Sequence, residues 1–349
     1  MIRIHGNFVG GNISVSSVDG DVYTLENQLR DTEGDWFYWA FCVEGAAERT
    51  LTFKMQNDRV GYFGPAVSYD LKEWHWLEDC DGESFTYRFA KGEDRVYFAH
   101  HMLYHPDRFL KFADKHALAV SELCKSAKGR SVPCLHLGDG EMTVILTARH
   151  HACESTGSYV LEGVLEELIK APIENTHIFA VPFVDFDGVI DGDQGKGRIP
   201  HDHNRDYTES PIYPEVAQIM KYADRYGCQL GFDLHSPWHK GGNNDNIFIV
   251  RNSIEKEDRF ERFADALQSE LSGTDILYSK KNDQPHMTDW NRPSPNFGYT
   301  MDLREECDLA FSLETAYFGT ENNRITADRM IRLGRGFARA IKRYLQAEQ

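Results

Sequence analysis

The sequence predicts an α/β fold, in which a mixed, mostly parallel sheet with helices on both faces is preceded by a smaller antiparallel β-sandwich domain. Two observations predict this arrangement. The first part of the chain contains short alternating or aromatic runs separated by Gly, Asp or Asn, which is typical of antiparallel strands. Farther along, apolar runs alternate with amphipathic segments, which is typical of a sheet covered by helices.

The first domain is predicted to contain the strands of a sandwich. Its strand candidates are "DVYTL", "WFYWAFCVEG", "RTLTFKM", "FTYRF" and "RVYFAHHMLY". Residues near 105 to 127 carry apolar side chains at helical intervals, so we expect a helix that leaves this domain. The predicted domains are therefore residues 1–110 and residues 111–349.

The second domain is predicted to alternate strands and helices. Its main strands are expected at 142–149, 177–184, 229–235 and 309–315, and its helices at 157–169, 213–226 and from about Thr326 to Tyr344. Open α/β sheets bind ligands at the carboxyl ends of their strands. The polar residues that follow the apolar runs are therefore the candidates for a functional site.

Composition limits the classes of partner. The 349 residues include 55 acidic and 38 basic side chains, and the net charge of −17 argues against binding to nucleic acid or to an anionic membrane. We expect no membrane-spanning segment and no export signal. The seven cysteines are scattered, which is typical of free thiols in a reducing compartment, so a cytoplasmic location is expected. The oligomeric state stays open.

Candidate metal ligands concentrate at three strand ends. His150, His151, Cys153 and Glu154 follow the strand at 142–149, in the stretch "TARHHACEST". A hydrolytic zinc site needs imidazole or carboxylate ligands and a nearby carboxylate that accepts a proton from water. His151 and Glu154 could supply two ligands if the chain turns directly after the strand. An H-x-x-E spacing alone is common by chance, and an ordinary loop is the alternative.

Two distant residues strengthen the metal hypothesis. His235 ends the strand "GFDLH" and could supply a third ligand. Glu314 lies inside the apolar strand "AFSLET", where a carboxylate is costly to bury unless it is paired or linked to a metal. We therefore expect Glu314 to be the proton-accepting base of the site.

Four segments resemble, in order, those of the M14 zinc metallocarboxypeptidases, and most closely the cytosolic carboxypeptidase branch. They are "TARHHACEST", "FVDFDGVIDGDQGKGRIPHDHNRDY", "FDLHSPWH" and "FSLETAYFG". The resemblance extends from about residue 130 to the end of the sequence. The aromatic strands of the first domain are similar to the small sandwich that precedes the catalytic domain in that branch.

The resemblance implies a role for each matching residue. His151, Glu154 and His235 match the ligands of one zinc ion, and Glu314 matches the general base. Asn204 and Arg205 match the pair that holds the C-terminal carboxylate of a peptide. A surface ion pair of Arg205 with Asp202 or Asp206 is the alternative.

Three further assignments depart from the family pattern or match it loosely. The family arginine that polarises the scissile carbonyl aligns with Gly195, and of the flanking Lys196 and Arg198 we expect Arg198 to take its role. A loop tyrosine that closes over substrate would be Tyr299, with Tyr278 as the alternative. Arg304 lies near the specificity positions of the family, although an ion pair with Glu305 or Glu306 would also explain it.

The expected function is hydrolysis of the C-terminal peptide bond of a peptide or protein tail by a zinc enzyme. An amidohydrolase that deacylates N-acyl amino acids or trims cell-wall peptides would use the same zinc chemistry, and so remains an alternative. A non-catalytic peptide-binding module is a second alternative, against which the intact Glu314 argues.

Overall fold

A computed structural model describes residues 1–78 and 80–346. Its first part forms a β-sandwich of two sheets, one with strand order β1-β4-β9-β6-β7 and one with order β2-β3-β5-β8. The strands are β1 (Arg3–His5), β2 (Ser14–Asp19), β3 (Val22–Glu26), β4 (Ala40–Glu44), β5 (Thr50–Met55), β6 (Ala66–Ser68), β7 (His75–Trp76), β8 (Ser84–Arg88) and β9 (Arg95–Ala99). Large aromatic side chains such as Trp39, Phe53 and Phe98 fill the space between the two sheets.

One pairing in the sandwich is parallel, which corrects the prediction of a wholly antiparallel domain. Strand β3 runs parallel to β5, with Val22 opposite Thr52. The chain leaves the four-stranded sheet after β3, contributes β4 to the other sheet, and then returns as β5 in the same direction. A run of alternating strands does not reveal such a crossing between sheets.

The second part forms a seven-stranded mixed sheet with order β10-β11-β13-β12-β14-β16-β15. Its elements, in chain order, are α1 (Pro106–Lys115), β10 (Ser121–Lys125), β11 (Ser131–Leu137), β12 (Met142–Ala148), α2 (Ser155–Lys170), β13 (Thr176–Val181), α3 (Phe186–Asp191), α4 (Pro214–Tyr226), β14 (Leu230–His235), β15 (Ile247–Val250), α5 (Glu257–Leu271), α6 (Phe297–Asp302), β16 (Leu309–Thr315), β17 (Gly319–Thr320), β18 (Asn323–Arg324) and α7 (Ala327–Gln346). Strands β13, β12, β14 and β16 are parallel neighbours, and the outer pairings are antiparallel.

Helices cover both faces of this sheet, as predicted. Helices α2, α5 and α7 pack on one face, where Phe232 and Phe311 meet Phe263 and Phe337. Helices α4 and α6 pack on the other face. None of the helices within 1–78 and 80–346 is both long and apolar enough to cross a bilayer.

The helix predicted over 105 to 127 is shorter than expected. Helix α1 ends at Lys115, and Ala117 adopts a left-handed φ of 54° just after it. Residues 121–125 instead form β10, which a turn closed by Gly129 pairs with β11. The predicted domain boundary at residue 110 falls inside α1.

Candidate active site

A cavity of about 590 Å³ opens at the carboxyl ends of β12, β14 and β16. His151 and Glu154 follow β12, His235 is the last residue of β14, and Glu314 lies near the end of β16. His235 and Glu314 are direct neighbours across the parallel pair β14–β16. All four residues line the cavity, so the structure brings the predicted ligands and the predicted base together.

The three predicted ligands converge. Nδ1 of His151 lies 2.8 Å from Oε1 of Glu154, and Nδ1 of His235 lies 2.7 Å from Oε2 of the same carboxylate. One ligand atom from each residue lies within 4.8 Å of the others. The sharp turn that this requires comes at Arg149, which has a φ of 63° and whose Nε donates to the carbonyl of Ala152.

Aspartates hold the other nitrogen of each imidazole. Nε2 of His151 lies 3.5 Å from Asp202, and Nε2 of His235 lies 2.5 Å from Asp233. A carboxylate at the far nitrogen fixes the orientation of the ring and favours metal binding through the near one. Both Nδ1 atoms therefore face Glu154, and this donor set fits a zinc ion.

A second group of possible ligands, formed by His150, Asp233 and His235, lies deeper. His150 is fully buried, and its two nitrogens are hydrogen-bonded to Asp233 at 2.8 Å and to the hydroxyl of Tyr207 at 2.7 Å. Both ring nitrogens of His150 are thus occupied by hydrogen bonds, and the residue does not line the cavity. Cys153 is also buried and does not line the cavity, and its Sγ lies 3.6 Å from the hydroxyl of Tyr317.

Glu314 is a buried carboxylate, and one of its two oxygens lacks a hydrogen-bond partner among the described residues. Within residues 1–78 and 80–346 its Oε2 has no hydrogen-bond partner. Burial raises the pKa of Glu314 to about 7, and the nearby charge of Glu154 adds to this. A carboxylate that ionises close to neutrality and faces a cavity is suited to accept and return a proton.

Lys196, the flanking residue to which Arg198 was preferred, lines the cavity. Its Nζ lies 2.6 Å from Oε1 of Glu154 and donates to the carbonyls of Ser236 and Pro237. Burial would lower the pKa of Lys196, but the carboxylate of Glu154 raises it above its ordinary value. The ammonium group is therefore a fixed positive charge beside the ligand set.

Arg198 does not reach the cavity, so the geometry does not support the role expected for it. Its guanidinium lies about 3 Å from the carboxylates of Asp31, Asp185 and Asp193. Gly197, with a φ of 61°, turns the chain between Lys196 and Arg198. The two cations consequently point to different places, and the lysine is the one that faces the site.

Asn204 and Arg205 lie on the cavity wall, in a short 3₁₀ turn at His203–Arg205. Asp202 caps this turn by accepting from the backbone N–H of Asn204. Oδ1 of Asn204 accepts from the backbone N–H of Phe297, which ties the turn to α6. Of the two alternative partners of Arg205, Asp206 pairs with His201 at 2.6 Å and Asp202 lies 3.5 Å from His151, while the guanidinium of Arg205 donates to the carbonyl of Asn204.

Tyr299 and Arg304 lie outside the cavity lining. The hydroxyl of Tyr299 donates to Oδ1 of Asn291 at 2.9 Å, and the ring is buried. Tyr278, the alternative candidate, is buried, and its hydroxyl donates to Oδ1 of Asp283 at 3.0 Å. Arg304 pairs with Asp224 and Glu306, and so it takes the surface ion-pair arrangement that was its alternative.

Several known proteins are similar to this chain in sequence. Residues 4–101 match the family model of the cytosolic carboxypeptidase N-terminal domain. Over 210 residues the chain is 26% identical to cytosolic carboxypeptidase 2 of Xenopus tropicalis, an alignment that covers 52% of this chain and 22% of the frog protein. The chain is thus similar in sequence to cytosolic carboxypeptidases. An uncharacterised protein of Zymomonas mobilis is 28% identical over 257 residues, or 67% of each chain.

Solved structures share the whole architecture. A metallo-carboxypeptidase from Burkholderia cenocepacia matches with a TM-score of 0.82 at 19% identity, over 100% of both chains. A metallo-carboxypeptidase from Pseudomonas aeruginosa, in complex with (2-guanidinoethylmercapto)succinic acid, matches with a TM-score of 0.82 at 20% identity over 99% of this chain and 100% of that one. The carboxypeptidase-like fold, including the additional N-terminal sheets, is therefore confirmed.

Proposed function

We propose that the chain is a zinc-dependent carboxypeptidase that hydrolyses the last peptide bond of a peptide or protein tail. One observation carries the proposal: a single cavity brings together the ligand set, an uncompensated glutamate and an Asn–Arg pair. These are the groups needed to activate water and to recognise a chain end. The fold of the metallocarboxypeptidases supports the same conclusion.

His151, Glu154 and His235 would hold the metal through two imidazole nitrogens and a carboxylate. Zinc bound there would supply Lewis acidity, lowering the pKa of a water and polarising a carbonyl. Although burial opposes ionisation of Glu154, Lys196, His151 and His235 hold its pKa well below the ordinary value. The carboxylate is thus charged and ready to bind a cation.

Glu314 would move the proton. Glu314 lines the cavity beside the ligands, where its carboxylate would accept a proton from the attacking water. It would then pass the same proton to the amine that leaves when the C–N bond breaks. Burial raises the pKa of Glu314 above its ordinary value, which favours uptake of a proton and its later return to the leaving amine.

Lys196 would stabilise the negative charge that develops on the carbonyl oxygen. In this chain Gly195 stands where the resembling family has an arginine, and the ammonium group of the next residue lies in the cavity. A buried cation beside the reacting carbonyl acts in a medium of low dielectric constant, where its effect is large.

Arg205 and Asn204 would hold the terminal carboxylate of the substrate. A guanidinium binds a carboxylate through two parallel hydrogen bonds, which selects a chain end over an internal peptide bond. The Pseudomonas aeruginosa protein was solved with a succinic acid derivative, and this acidic ligand is consistent with such a site. A substrate in the cytoplasm, with no nucleic acid or membrane involved, would fit the charge and the cysteine pattern.

The test combines metal analysis with a peptide panel. The wild-type protein and Glu314→Gln would be purified, their zinc content measured, and both incubated with peptides of varied C-terminal residue, with C-terminally amidated copies and with N-acyl amino acids. We expect one zinc per chain in both proteins, cleavage of the free-acid peptides by the wild type alone, and much slower cleavage of the amidated copies. Absence of zinc, or equal activity of the variant, would refute the proposal. Cleavage confined to the N-acyl amino acids would favour the amidohydrolase alternative.

A further inference from the structure

Both domains contribute to the cavity through a pair of tryptophans. Trp36 belongs to the segment before β4 in the sandwich, and Trp238 follows β14 in the larger domain. Their rings lie 5.6 Å apart at an angle of 53°, and both line the cavity. Trp238 is 40% exposed, so an apolar face is open to solvent at the cavity mouth.

Glycines fix the position of Trp36. A Cβ at Gly34 would lie 2.3 Å from its Nε1, and a Cβ at Gly197 would lie 2.9 Å from the same atom. Thr32 donates to the carbonyl of Gly197 at 3.1 Å, which holds the tryptophan segment against the loop that carries Lys196. A rigid aromatic ring costs little entropy when it binds a ligand, so it is a suitable contact for substrate.

The tryptophan pair lies beside Lys196, whereas the proposed anchor is attached to α6. Asn204 contacts α6 through the N–H of Phe297, whereas the Nζ of Lys196 lies 5.6 Å from the ring of Trp36. A peptide held by its carboxylate at Arg205 would place its scissile bond near Glu314 and Lys196. The residue before that bond would then extend toward Trp36 and Trp238.

We infer that Trp36 and Trp238 form a binding subsite for the side chain that precedes the scissile bond, and that this subsite favours planar or large apolar side chains. The inference rests on the proposed function because it uses the peptide direction that the anchor sets. Aromatic side chains gain from edge-to-face and offset contacts with tryptophan rings beyond the area they bury. The sandwich domain therefore takes part in substrate selection.

The test measures binding, so that it does not depend on turnover. Zinc-loaded Glu314→Gln would be titrated calorimetrically with two acetylated tripeptides that differ only in a Phe or a Gly at the middle position. We expect the Phe peptide to bind about 5- to 10-fold more tightly. Adding Trp36→Ala or Trp238→Ala should bring the ratio close to one, while Trp36→Phe should keep most of it.

Each outcome separates the subsite from the proposed function. If the wild type cleaves peptides but both alanine variants keep the full preference for Phe, the subsite is wrong and the function stands. If no peptide is cleaved, yet the preference exists and depends on the tryptophans, the pair binds an aromatic side chain, but the proposed function and the assignment to the position before the scissile bond are wrong. If neither peptide binds, both are wrong. Circular dichroism checks folding, and Trp36→Leu replaces Trp36→Ala should the latter unfold.

Discussion

At the scale of single residues, the position of one ammonium group separates this pocket from the pattern it resembles. Lys196 is a compact charge on a flexible stem, whereas an arginine would offer a planar fork of donors. Its contacts with Glu154, Ser236 and Pro237 hold the charge in place. An arginine would be oriented by its planar shape, whereas the flexible lysine is held by these three contacts.

Replacing Lys196 by Met should therefore slow catalysis with little effect on substrate binding. We expect kcat to fall by about 10²–10³, the range seen when a single group that stabilises an oxyanion is removed. Steady-state kinetics on a cleaved peptide would measure kcat and KM separately. Lys240→Met is the matched control because Lys240 pairs with Asp58 outside the main cavity. Equal kcat values for the two variants would contradict the assignment.

Arg198→Met should instead act on stability. Arg198 lies between three carboxylates, and removing it would leave Asp31, Asp185 and Asp193 without their shared cation. Breaking a buried ion pair by deleting one partner costs about 3–5 kcal/mol. Urea unfolding would measure the loss. An Arg198→Met protein of wild-type stability but with strongly reduced kcat would restore the catalytic role expected from the sequence.

At the scale of elements, the loop at 192–198 depends on the sandwich domain. Asp31 accepts from the backbone N–H groups of Gln194 and Gly195 and also pairs with Arg198. The side chain of Gln194 in turn bonds to the backbone of Tyr38. The segment that precedes β4 thus determines the course of the loop that presents Lys196.

Helix α4 begins with a buried acid that should make stability depend on pH. Burial raises the pKa of Glu215 from its ordinary value of 4.5 to about 7, and Asp185 and Asp187 add to the effect. Between these two values the folded protein binds more protons than the unfolded chain, so this residue makes stability fall as pH rises from about 4.5 to about 7. Glu215→Gln should remove this pH-dependent loss of stability because a glutamine side chain does not ionise.

We therefore expect Glu215→Gln to be more stable than the wild type at pH 8 and similar to it at pH 4.5. One pKa unit corresponds to about 1.4 kcal/mol, so the shift from 4.5 to about 7 predicts a gain on the order of 3 kcal/mol at pH 8. Chemical denaturation at both pH values would measure it. Glu209→Gln, which alters an exposed acid in the preceding loop, is the control and should show no such gain. A gain that is the same at both pH values would contradict the argument.

At the scale of the whole molecule, the sequence predicted those features that follow from the local alternation of strands and helices. Strand ends locate His151, Glu154, His235 and Glu314 because parallel strands bring their carboxyl ends to one edge. That reasoning does not extend to Arg198, which was preferred to Lys196 for its chemistry and whose direction depends on the left-handed turn at Gly197 and on carboxylates from distant segments.

Long-range contacts also explain the other differences. Tyr299 does not line the cavity, and its hydroxyl donates to Asn291, a hydrogen bond that no local pattern specifies. The role of Trp36 depends on a neighbour, Trp238, that lies about two hundred residues farther along the chain. Sequence patterns report the period of an element, but they do not report which elements meet.

The two domains should unfold as one unit because they share a hydrophobic core. Phe63 and Trp76 of the sandwich pack in the same cluster as Phe318 of the larger domain, and Nε1 of Trp76 donates to the carbonyl of Ile325. Calorimetry should therefore show a single transition with equal calorimetric and van't Hoff enthalpies. Gly61→Ala would probe the interface, since a Cβ there would lie 2.2 Å from Cε1 of Phe318.

Gly61→Ala should lower the temperature of the single unfolding transition. Overpacking at this site should reduce the free energy of unfolding by about 1–3 kcal/mol. Gly20→Ala is the control: a Cβ there meets nothing within 4 Å, and only the backbone cost of a left-handed φ of 59° remains. That cost is about 1 kcal/mol. If the interface were merely a contact between independent units, the transition would split in two, and Gly61→Ala would shift one part only. A single shifted peak would mean that the sandwich, which supplies Trp36 and Asp31 to the site, cannot unfold while the site remains intact.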